Sequence, residues 1–160
     1  MLTYGSLIWG QHKNLGIQRI MKLQDKSIRI INFSNYQDNT CKIYKSSQIL
    51  KLRDNIILQN FLYVHDSLNG KLPRALNNNF VYINDQHDYN TRIACQFQVK
   101  TPKVNTQAYG INSISFQSTH TWNFFQNKFP GKKLHRSPRF FCKKLITNYF
   151  LNTYGFENEQ

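Results

Sequence analysis

Carboxylates are few in this chain and far outnumbered by cations. The eight are Asp25, Asp38, Asp54, Asp66, Asp85, Asp88, Glu157 and Glu159. A polymerase or nuclease site needs two or more of them converging on divalent ions, which hold the attacking and leaving oxygens together. No two are adjacent, and the one cluster, Asp85-Gln86-His87-Asp88, reads as a polar loop more readily than as an incomplete metal site. His12, His65, His87, His120 and His135 show no HxxxH or CxxH spacing, and Cys41, Cys95 and Cys142 form no CxxC pair. Neither a zinc knuckle nor a disulfide framework is indicated. A cysteine nucleophile with a distant histidine is the sharper reading of the thiols, and reduced packed side chains the plainer one. No G-x-x-x-x-G-K-[ST] or G-x-G-x-x-G loop is present to cradle a nucleotide. The expectation is a chain that is not an enzyme, with no cofactor, no metal and no small-molecule substrate.

Cations are abundant instead. Twenty-one Lys and Arg face 8 Asp and Glu, giving a net charge of +13 and a pI near 9.8. A surface so charged attracts polyanions, and nucleic acid is the commonest of them. An inert basic protein or contact with an anionic membrane is the alternative. Arg19, Lys22, Lys26 and Arg29 recur at helical steps of three, four and three. At 1.5 Å of rise per residue they form a stripe about 15 Å long, matched to a run of phosphates. Such a stripe is often only a solvated face. Here Asp25 alone interrupts it, where a solvated lysine-rich helix usually carries glutamates at i,i+4.

The stripe needs a helix behind it. Ile17, Ile20, Met21, Ile28 and Ile31 fall on one face at 3.6-residue periodicity, predicting a helix from about Asn14 to Ile31 with these side chains inward. Met1 to Gly10 reads as the tail of a helix, with Leu7, Ile8 and Trp9 seeking a partner surface. After polar, turn-like 32–39, a second helix is expected from a Ser46 or Ser47 cap to about Asn69, closed by Gly70 and Pro73. Phe97 and Val99 alternate with polar residues, as do Ile114 and Phe116, predicting a small antiparallel hairpin. Ser118 to Lys128 reads as a short helix bearing Trp122, Phe125 and Phe129. Ser137-Pro138 starts a last helix to about Tyr154, burying Phe141, Leu145, Tyr149 and Ile146. The expected fold is mainly α, a small helical domain with a short antiparallel β-hairpin. The expected division is a helical segment over 1–72 and a basic region over 73–160.

Several strings, in order along nearly the whole chain, carry a resemblance. They are Leu2-Thr3-Tyr4-Gly5 through Trp9-Gly10, Leu23-Gln24-Asp25-Lys26, Ile28-Arg29-Ile30-Ile31 and Ile49-Leu50-Lys51-Leu52-Arg53-Asp54. Leu72-Pro73, Tyr89-Asn90-Thr91-Arg92, Tyr109-Gly110-Ile111-Asn112-Ser113-Ile114 and Thr121-Trp122-Asn123 continue them. Together they resemble the C-terminal region of non-LTR (LINE-type, jockey-like) retrotransposon reverse transcriptases. The resemblance implies the end of the thumb and the domain after it, in a fragment without the family's catalytic aromatic-Ala-Asp-Asp strand or its endonuclease. The start at Met1 fits a truncated copy of the element.

On that resemblance, residues 14–31 would aim the basic stripe at a template–product duplex, gripped by its backbone rather than its base identity. Arg92, Lys100, Lys103, Arg136, Arg139, Lys143 and Lys144 would extend the positive surface. Tyr89 or Trp122 would stack on an unpaired base, although Trp122 reads first as a core anchor. The partners implied are RNA, DNA or both, together with the upstream polymerase domain. The competing reading is a protein-interaction module docking on an acidic partner or on that domain. No apolar run approaches the roughly 18 residues of a membrane span, and the N-terminus lacks the basic region of a signal peptide, so an intracellular protein, nuclear or cytoplasmic, is expected.

Overall fold

The computed structural model describes residues 5–11, 15–77, 79–86, 97–106 and 110–154. Within them the chain is mainly helical, with seven α-helices: α1 Ser6–Trp9, α2 Leu15–Ile31, α3 Thr40–Ser46, α4 Leu52–Leu68, α5 Arg74–Asn77, α6 Ile114–Lys128 and α7 Arg139–Thr153. A 3₁₀ turn spans Ile83–Gln86. Two compact units emerge, one of residues 1–58 with 143–160 and one of residues 59–142. The break expected at 72/73 is not where these units divide.

In the first unit the core is formed by Ile28, Ile43, Tyr44, Leu52 and Ile56 with Ile146, Phe150, Leu151 and Tyr154. The helix expected from Ser46 or Ser47 begins only at Leu52, because 47–51 leave the helical path, and α3 before it was not expected. Asn39 opens α3, its side-chain oxygen accepting the Cys41 N–H at 2.8 Å. Ser47 is the C-cap of α3 rather than the start of the next helix, and Gln48 follows at φ 54°. The freed backbone groups find side-chain partners, as buried amides must. Gln24 donates to the Leu50 carbonyl at 3.1 Å and accepts the Leu52 N–H at 2.8 Å. The Tyr154 hydroxyl accepts the Lys51 N–H at 3.0 Å and donates to Asp54. Burial, reinforced by Asp54, holds that phenol well above the ordinary tyrosine range.

On α7 the inward face is Cys142, Ile146 and Phe150, spaced i, i+4, i+8. Phe141 is exposed and Leu145 and Tyr149 are half-buried, so of the expected core set only Ile146 is enclosed. A one-residue error in register on a helix rotates the chosen face by about 100°. Burial pushes the Cys142 thiol up to about 11, leaving it a packed, unreactive group.

The second unit is built round Trp122, which is fully buried. Its indole stacks on Phe61 at 4.8 Å, and Phe125 meets Phe61 edge-on at 5.7 Å. The indole N–H donates to the Phe97 carbonyl at 3.1 Å. The expected hairpin is not formed with Ile114 and Phe116, which lie in the first turn of α6 beneath a Ser113 cap. Val99 instead makes one isolated antiparallel bridge with Tyr82, and no strand occurs among the described residues. The reason is local. The Asn123 amide accepts the Val99 N–H and donates to its carbonyl, both at 2.9 Å, occupying the groups a second strand would have used.

Among the described residues three non-glycine residues have φ in the left-handed region, which costs an L-residue about 1 kcal/mol. Gln48 ends α3, its amide donating to the Lys45 carbonyl. Phe97 lies flat on His135 at 3.8 Å and supplies the carbonyl for Trp122. Phe33, at φ 51°, ends α2 in the position glycine usually fills, and its side chain is 98% exposed.

Candidate nucleic-acid interface

Helix α2 separates its residues sharply. Ile28 is its one buried side chain among those described, and Ile17, Ile20 and Met21 are half-buried. Ile31, expected inward, is 68% exposed because it lies in the last turn, where the chain departs toward the connection over 32–39. Arg19, Lys22 and Lys26 are exposed and Arg29 half-buried. All four line one open groove of about 800 Å³ together with Leu23, Asp25 and Tyr36.

The groove contains one carboxylate, and that carboxylate is engaged. The Tyr44 hydroxyl donates to Asp25 at 2.9 Å. Burial first, then this bond, raises the Tyr44 phenol well above its ordinary range, so it remains a donor. Among the described residues no salt bridge holds Arg19, Lys22 or Lys26. Arg29 is more constrained. Its guanidinium lies 5.3 Å from the centre of the Tyr36 ring, and its Nη2 donates at 3.5 Å to the Asp38 carbonyl. Its Nε is buried without a hydrogen-bond partner among the described residues. The groove thus offers a row of cations closed at one end by an aromatic ring.

The other predicted basic residues do not share this groove. Arg92 lies outside the described residues. Lys100, Lys103 and Arg136 are exposed in the second unit, on connecting segments rather than on a helix face. Arg139 is committed to Asp66, Nε to Oδ2 at 2.8 Å. Lys143 lines a separate, mostly apolar groove of about 600 Å³ in the first unit with Ile28, Ile31, Ile49, Leu50 and Leu58. Lys144 is exposed on α7.

Trp122, one of two stacking candidates, is enclosed and is the core anchor that was its first reading; Tyr89 lies outside the described residues. The aromatics missed by sequence reasoning are Tyr36, 86% exposed, and Phe33. The signal was available, since both stand in the polar segment 32–39, where a purely connecting loop has no use for large rings.

Of the Asp85–Asp88 cluster, Asp85 is exposed in the 3₁₀ turn and His87 and Asp88 lie outside the described residues. No group of three or more His, Cys, Asp or Glu able to hold a metal occurs among the described residues. No helix among them is long and apolar enough to cross a membrane. Comparison of the chain with models of known protein families, with curated proteins and with solved structures finds no match.

Proposed function

We propose that this chain is a non-catalytic nucleic-acid-binding module that grips the phosphate backbone along α2. The observation that carries the reading is the convergence of Arg19, Lys22, Lys26 and Arg29 on one open groove. Guanidinium and ammonium groups spaced one helical turn apart neutralise successive phosphates without reading bases, so binding is expected to be indifferent to sequence. The resemblance to the C-terminal region of non-LTR retrotransposon reverse transcriptases agrees with this reading, and the parentage it suggests is part of the proposal. An upstream segment bearing an aromatic-Ala-Asp-Asp strand would test that parentage directly.

Salt dependence tests the grip. Neutralising three phosphates gives a slope near −2.7 in log K against log salt, which is about 40-fold weaker binding between roughly 50 and 200 mM. The paired reversal Lys22→Glu and Lys26→Glu should weaken binding to all sequences about equally, lower the salt slope by about two and leave the helical circular dichroism unchanged. Binding that ignores salt, or that survives the reversal, contradicts the proposal.

A second reading has its own support. Ile31, Ile49, Leu50 and Leu58 line the apolar groove beside Lys143, and Ile8 is 73% exposed on α1. These surfaces suit docking on another protein domain, the parent polymerase domain first among them. Apolar docking strengthens or holds as salt rises, the opposite of phosphate binding.

A further inference from the structure

The left-handed backbone at position 33 closes α2, but that closure does not explain a phenylalanine there. A bulky residue in the left-handed region costs stability, and such strain persists where the surroundings or a function demand it. At Phe97 the return is visible, since its ring packs flat on His135. The ring of Phe33 is 98% exposed, and no ring or cation contact among the described residues involves it. Three residues later Tyr36 is 86% exposed, and among the described residues its ring meets only Arg29, at the end of the cationic groove. An isolated exposed aromatic is unremarkable, but here two project from the short connection that follows a row of cations.

We infer that Phe33 and Tyr36 form a stacking platform for unpaired nucleobases, making single-stranded nucleic acid the preferred ligand of the α2 groove. The inference rests on the proposed phosphate grip and adds the substrate class to it. Aromatic side chains next to a cationic track are how single strands are held without sequence selection, because every base has a π-face whereas duplexed bases are stacked on each other. Arg29 beneath Tyr36 places a planar cation against the ring, giving a stacked base a polarised neighbour. The same chemistry is offered by unpaired DNA and unpaired RNA.

Binding of the full chain to fluorescent oligothymidylate, oligouridylate and a duplex of equal length, at fixed low salt, separates these claims. The wild-type chain should prefer both single strands over the duplex. Tyr36→Ala and Phe33→Gly should each weaken single-strand binding by about tenfold and duplex binding by less than about twofold. Phe33→Gly should not lower the thermal unfolding midpoint, since glycine relieves the left-handed strain. Single-strand affinity within about twofold of wild type in both variants would overturn the platform while leaving the phosphate grip intact. Equal losses on duplex and single strand would overturn it too, as would a fall in the unfolding midpoint of Phe33→Gly accounting for its loss. Wild-type failure to bind any of the three probes would sink the grip and the platform together. A difference between the two oligomers of more than about fivefold would assign the site to unpaired DNA or to unpaired RNA, and near equality would assign it to unpaired bases of either kind.

Discussion

Helices α2 and α6 are of similar length and lie in different units, yet they use their residues in opposite ways. Along α2, apolar and cationic side chains are segregated, and Ile28 alone is buried among the described residues. Along α6, Ser118, Thr119, Thr121, Trp122, Phe125 and Gln126 are all buried, so polar and aromatic groups alike are enclosed. The aromatics follow suit: Trp122 and Phe125 of α6 are packed against Phe61, whereas Phe33 and Tyr36 beyond α2 are left in solvent. A helix that contributes little to a core leaves its outer face open to selection for binding. A helix enclosed on several sides has each position dictated by its neighbours.

The comparison is broken most directly at its stability end. Trp122→Ala removes the stack on Phe61 and strands the Phe97 carbonyl, and should destabilise by about 3–5 kcal/mol in denaturant titrations. A loss below about 1 kcal/mol would mean that this aromatic centre is not the core of its unit.

A smaller effect is expected at His135, also in the second unit. The residue is 9% exposed, its ring lies flat on Phe97, and neither ring nitrogen is hydrogen-bonded among the described residues. Burial, then the neighbouring Arg136 and Lys133, lowers its pKa below the ordinary imidazole value. Protonation is therefore easier in the unfolded chain than in the folded one. The stability this ring contributes is complete above the unfolded value of about 6.5 and is lost as pH falls below it toward the folded value. His135→Phe should flatten that acid limb in unfolding midpoints measured across pH 5 to 7.5, roughly the range where an imidazole titrates. An unchanged limb would place the titration elsewhere.

The smallest effect sharpens the distinction between basic residues. Arg139 is partly exposed and ion-paired with Asp66, so Arg139→Ala should cost no more than about 1 kcal/mol of stability. It should also change nucleic-acid affinity less than about twofold, because its charge is already answered. A tenfold loss of affinity would extend the interface beyond the α2 groove.

Much of this molecule was legible in its residues. The helix ending at Ile31, the cationic stripe on it and the left-handed Gly70 after α4 all follow from spacing and local chemistry. Where the reading failed, the deciding partner was distant in sequence. Gln24 and Tyr154 satisfy the backbone of Leu50, Lys51 and Leu52, delaying the start of the expected helix to Leu52. The Asn123 amide takes the hydrogen bonds of Val99 that a hairpin partner would have made. The rings of Phe33 and Tyr36 were visible in a polar segment, but the left-handed backbone at Phe33 is not legible from position alone.

Local order and charge sequence determined by themselves, since helical periodicity, capping and the placement of cations depend on neighbours a few residues away. Only tertiary structure decided which of those cations share a groove, which aromatics are enclosed and which are left facing water. Such outcomes depend on buried amides and carboxylates finding partners dozens of residues distant, and periodicity carries no record of them.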